Sequence, residues 1–182
     1  MRFRLIAAAL AALAFAPVED YVSAQKKFDL IDSERLKPGA RVTLTARELN
    51  AWVAHEAPPG VRNTRVEVTT PGVATGSALV DFGKVRRAQG HSPGWLMAKL
   101  LDGERPVSVS ARITSANGQA TVDVERVEVS GIEIDGATLD FLVQYVLLPM
   151  YPDAAVGRPF DLGHHVERLE IQPAAVGVII GR

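Results

Sequence analysis

The densest group of potential metal ligands in the 182-residue chain is His164-His165-x-Glu167. On a strand, His165 and Glu167 would share a face, so both could reach one ion. A zinc site needs three or four protein donors. No third donor follows at a fixed spacing, cysteine is absent, and His55 and His91 stand alone. The plainer reading, the polar start of a strand, outweighs a metal site, and neither metal nor cofactor is expected. Asp81, Glu133 and Asp140 neighbour apolar positions, where burial of a carboxylate would perturb its pKa. Their spacing does not pair any two of them. There is no G-x-S-x-G elbow, phosphate-binding loop or dinucleotide fingerprint. A non-enzymatic protein is expected.

The residues suited to binding are more informative. Trp52 and Trp95 each fall on an expected helix, where they either pack in the core or line an apolar pocket. Lys84-Val85-Arg86-Arg87 is a small basic cluster that could meet anionic headgroups, although a solvated turn is the simpler reading. The formal net charge is -1 and no basic stripe occurs, which excludes nucleic acid as an expected partner.

The most apolar run beyond the N-terminus is "IEIDGATLDFLVQYVLLPMYP", Ile132 to Pro152. From a cap at Thr138, Leu139, Leu142, Val143, Val146, Leu147 and Met150 form one helical face. Phe141, Tyr145 and Leu148 form a second stripe, and only Asp140 and Gln144 are clearly polar. Pro149 ends or kinks this helix. The run is too short for the ~20 residues of a membrane span. Exposing it would forgo roughly 1.5–3 kcal/mol per large side chain. A curved sheet wrapped around the helix, or a partner covering it, resolves that cost. Leu139, Leu142, Val143 and Val146, with Trp52 and Trp95, are the expected ligand-binding residues.

Several elements must position them. Arg2 and Arg4 precede the apolar run Leu5–Phe15, which reads as a secretory signal over residues 1–24, cut after Val22-Ser23-Ala24. An alternative cut after Ala14-Phe15-Ala16 is disfavoured by Pro17, and an uncleaved anchor is the other reading. Residues 25–40 read as a linker or lead-in, and residues 41–182 as one domain. Val42 and Leu44 suggest a short strand. Thr45 and Glu48 then form a capping box that opens a helix carrying Leu49, Trp52 and Val53 on one face, ended by Pro58-Pro59-Gly60. Val66 and Val68, then "VATGSALVDF" with Val80 and Phe82 on one face, read as a hairpin. Ser92-Pro93 opens a short helix bearing Trp95. "PVSVSARITSANGQATVDVERVEVSGIEI" is a long hairpin about Asn117-Gly118. Its alternation slips by one residue at Glu125-Arg126, the mark of a β-bulge. "HHVERLEIQPAAVGVIIGR" reads as two strands around Gln172-Pro173-Ala174.

The sequence "VTLTARELNAWV", the step "VERVEVSGIEIDGATLDFLVQYVL" and the closing "VERLEIQPAAVGVII" together resemble the bacterial YpmS-like proteins, and more loosely the tubular lipid-binding superfamily. The resemblance spans about Val42 to Ile180 and implies a long curved antiparallel sheet around a helix, with a lipid or other apolar ligand. The expectation is therefore an exported α+β domain of the periplasm or cell envelope. Its long curved antiparallel sheet would wrap an apolar helix, with one or two short helices covering the ends. The expected function is binding of a lipid or other apolar molecule, with possible contact to a membrane surface. The alternative is an envelope scaffold or interaction module with a protein partner.

Overall fold

A computed structural model describes residues 3–88, 103–136, 139–140 and 156–182. In chain order the elements are α1 (Phe3–Asp32), β1 (Arg41–Thr45), α2 (Ala46–His55), β2 (Val61–Thr70), β3 (Val73–Asp81), α3 (Phe82–Ala88), β4 (Glu104–Ala116), β5 (Gln119–Val129), β6 (Ile132–Glu133), β7 (Phe160–Asp161), β8 (Val166–Gln172) and β9 (Ala175–Ile180). The class is α+β. The strands form a six-stranded antiparallel sheet, ordered β2-β3-β4-β5-β6 with β7 also on β5, and a three-stranded sheet, β1-β9-β8. The two sheets meet along β8. Ser115 Oγ accepts from Leu169 N at 2.7 Å, and Gly118 N and Gly72 N donate to the carbonyls of Glu167 and Ile171. Among the residues whose side chains are described, which in α1 begin at Val18, no helix is long and apolar enough to cross a membrane.

The expected lead-in at 25–40 is a helix as far as Asp32. Tyr21, Ala24, Phe28 and Ile31 recur at three- and four-residue spacing and so lie along one helical face. Their polar neighbours disguise this stripe in a composition-based reading. Ala24 and Ile31 join Val42, Leu44, Val166, Val178 and Ile180 in a buried cluster, with Phe28, Leu49 and Trp52 packed on it. The small sheet, α1 and α2 thus share one core.

A carboxylate locks this core. Glu48 is only 5% exposed. It closes the expected capping box: its N–H donates to Thr45 Oγ1, and its Oε2 accepts from Thr45 N at 2.7 Å. It also accepts from Ser23 Oγ at 2.6 Å and from Lys27 Nζ at 2.6 and 2.7 Å, both on α1. Lys27 donates to the Thr43 carbonyl of β1 as well, at 2.6 Å. One side chain therefore fastens α1 to β1 and to the start of α2. Burial pushes the Glu48 carboxyl up, but the hydrogen bonds from Lys27, Ser23 and Thr45 outweigh it and hold the pKa at about 2.

The large sheet shows the expected hairpins. Asn117 and Gly118 both have positive φ, 53° and 79°, as the tight turn requires. The phase slip is a β-bulge: Ser110 pairs with Arg126 and Ala111 with Val124, leaving Glu125 as the extra residue. Further register shifts interrupt β2 between Arg62 and Arg65 and between Val68 and Thr70. Phe82, expected on the strand, instead opens α3. Asp81 Oδ1 accepts from Lys84 N at 2.8 Å, which stops β3 and starts the helix.

The outer strand β2 would present free backbone groups along the sheet edge. Asn50 of α2 occupies the middle of that edge. Its Oδ1 accepts from Val66 N and its Nδ2 donates to Val66 O, both at 2.8 Å, copying a strand pair. Asn50→Ala is expected to destabilise the domain by about 1–3 kcal/mol and to promote association through β2. Urea unfolding and light scattering would measure the two effects.

Candidate functional site

Strand pairing sorts the large sheet into two faces. One cross-strand row runs Val66–Gly76–Val109–Val127, the next Val68–Ala74–Ala111–Val124, and a third Ala78–Val107–Val129. All are apolar or glycine, and all are half-buried except the buried Val127. The opposite face carries Arg65, Glu67, Thr75, Ser77, Ser110, Arg112, Arg126 and Glu128. It is laced by the Thr75–Ser110 hydroxyl contact at 2.8 Å and by ion pairs such as Arg112–Glu125, also 2.8 Å.

The apolar face is not uniform. On β3 its positions include Ala74, Gly76 and Ala78; Val66 and Val109 flank Gly76, Val68 and Ala111 flank Ala74, and Val107 stands beside Ala78. These small residues make a trough along β3, about 13 Å long at the usual strand rise, walled on both sides at Gly76. Among the described residues, a Cβ added at Gly76 would meet nothing within 4 Å. With respect to the described residues, the middle of the trough is therefore open to an apolar group laid along it. A sheet face of this kind supplies apolar contact and no reactive group.

The other expected site residues separate. Trp52 lies in the seam between α1 and α2, its ring centroid 4.4 Å from that of Phe28 and 5.7 Å from that of Tyr21. It packs the small core rather than the large sheet. Leu139 is half-buried and Asp140 exposed, and Leu139 N donates to Asp135 O at 3.3 Å. Trp95, Leu142, Val143 and Val146, with the rest of the two helices expected to carry them, lie outside the described residues.

No family model, curated protein or solved structure matches this chain.

His164 and His165 are not in a strand. Both have positive φ, 46° and 56°, in the turn before β8, so the alternation that put His165 beside Glu167 does not apply. They border an open groove of about 430 Å³ with Glu34, Asn117, Asp161 and Glu167. His164 lies 3.5 Å from Glu34 and 3.8 Å from Asp32, and Asp161 accepts from Gly163 N at 2.7 Å. Among the described residues, no three histidine or carboxylate side chains converge closely enough to hold a metal ion. Of the carboxylates singled out in the sequence, Asp81 caps α3 and meets Lys84 at 3.3 Å, and Glu133 pairs with Arg126 at 3.3 Å. Sequence reasoning missed the trough itself. The alternation of "VATGSALV" contains it, but its meaning depends on which strands flank β3.

Proposed function

We propose that this is a non-catalytic protein of the cell envelope that binds a lipid or another apolar molecule on the inner face of its large sheet. The observation that carries the reading is the trough Ala74–Gly76–Ala78, walled on both sides at its middle by Val66 and Val109, with no described atom within 4 Å of a Cβ added at Gly76. An acyl chain laid there would lose water contact along its length, at about 0.8 kcal/mol per methylene. The resemblance to tubular lipid-binding proteins supports the same arrangement.

Native mass spectrometry of the full chain, purified without detergent, tests this. The expected result is a resolved adduct in the mass range of one lipid or fatty acid, displaced by an added acyl-chain probe. A bare chain that also fails to bind the probe would sink the reading and favour a scaffold whose apolar surface meets another protein.

A further inference from the structure

The expected processing site, Val22-Ser23-Ala24, is part of the folded domain. Ala24 is fully buried in the shared core of α1 and the small sheet. Ser23 donates to the buried Glu48. Tyr21 stacks on His55 with centroids 3.9 Å apart, also faces Trp52, and donates to Glu56 at 3.3 Å. Asp20 lies 3.7 Å from Arg47 of α2. A cut after Ala24 would remove all of these contacts and place a new ammonium group against the core. A charge left there without a partner is costly. The backbone is also helical across the site, because α1 runs unbroken from Phe3 to Asp32.

The portion of α1 ahead of this docked half is uncharged in sequence from Leu5 to Val18, behind Arg2 and Arg4. At 1.5 Å per residue it measures about 21 Å. That is short of the roughly 30 Å hydrocarbon core of a bilayer. Long flanking side chains and local thinning make up such a mismatch at modest cost. The two arginines favour a cytoplasmic N-terminus, with the domain on the opposite side.

We infer that the chain is not cut after Ala24, and that its leading helix stays attached and tethers the folded domain to a lipid bilayer. The docked half of α1 continues into the tether as one helix, with Pro17 at the junction between them. This inference is independent of what the large sheet binds.

The test uses the full chain with a C-terminal tag, produced in an exporting Gram-negative bacterium. Intact mass and alkaline carbonate extraction of membranes are the readouts. The uncut mass in the carbonate-resistant pellet is expected. A paired substitution in the apolar run, Leu10→Glu with Ala12→Glu, should lower the pelleted fraction at least tenfold while the thermal midpoint of the domain is kept. A chain beginning at Gln25 or at Pro17, or an uncut chain that carbonate extracts, would overturn the tether. None of these results bears on the lipid adduct, so the two proposals fail separately.

Discussion

Glu48→Gln lowers the thermal midpoint by roughly 6–20 °C. The substitution keeps the size of the side chain and removes its charge. Lys27, about a third exposed, then faces a neutral amide where it had a carboxylate at 2.6 Å. Removing one partner of a largely buried ion pair costs about 3–5 kcal/mol, because the other charge stays in place uncompensated. Each kcal/mol shifts the midpoint of a domain of this size by about 2–4 °C. Replacing Lys27 by Met as well should recover part of the loss, since the stranded ammonium is gone. A double-mutant cycle followed by thermal melting measures the coupling. Equal and additive losses in the two single variants would show that Glu48 acts through its cap on α2 alone.

The same group sets a pH dependence. The folded-state pKa of Glu48, about 2, lies below the ordinary value of 4.5. The unfolded chain therefore binds the proton more readily, and stability falls as pH drops. The full contribution is present above about pH 5 and disappears progressively towards pH 2. It amounts to about 3 kcal/mol. Urea midpoints between pH 7 and pH 2 should show this acid limb for the wild type, and a shallower one for Glu48→Gln.

Local signals in the sequence were readable because they depend on neighbours in the chain. Thr45 and Glu48 announce the start of α2, Asn117-Gly118 announces a turn, and the slip at Glu125 announces a bulge. Each appears in the structure. What the sequence hides is set by distant partners. Nothing near Glu48 foretells Ser23 and Lys27, which lie more than twenty residues away. The stripe Tyr21–Ala24–Phe28–Ile31 sits in a segment whose signal-like start and polar content suggest removal and a linker. His164 and His165 look like strand residues until their backbone is seen in a left-handed turn. For the candidate site, alternation shows that Ala74, Gly76 and Ala78 share a face. Only the order β2-β3-β4 reveals that Val66 and Val109 rise on both sides of Gly76.

Gly76→Phe separates binding from folding. Gly76 lies mid-strand between Val66 and Val109, and a side chain begun there meets no described atom within 4 Å of its Cβ. Glycine in a strand interior has no side chain to pack and weakens the strand, whereas phenylalanine favours it. The variant should therefore melt at or above the wild-type temperature when both are free of ligand. Its ring would occupy the trough that the proposed acyl chain needs, so probe affinity should fall at least tenfold and the co-purified adduct should vanish. Ser77→Phe is the matched control, because the next residue along β3 points to the polar face, where Ser77 is exposed. It adds the same ring to the same strand and should leave the adduct in place. If Gly76→Phe keeps its adduct, the ligand lies elsewhere. If it collapses the fold while Ser77→Phe does not, the space above β3 is filled by the protein itself, and the sheet has no room to bind anything there.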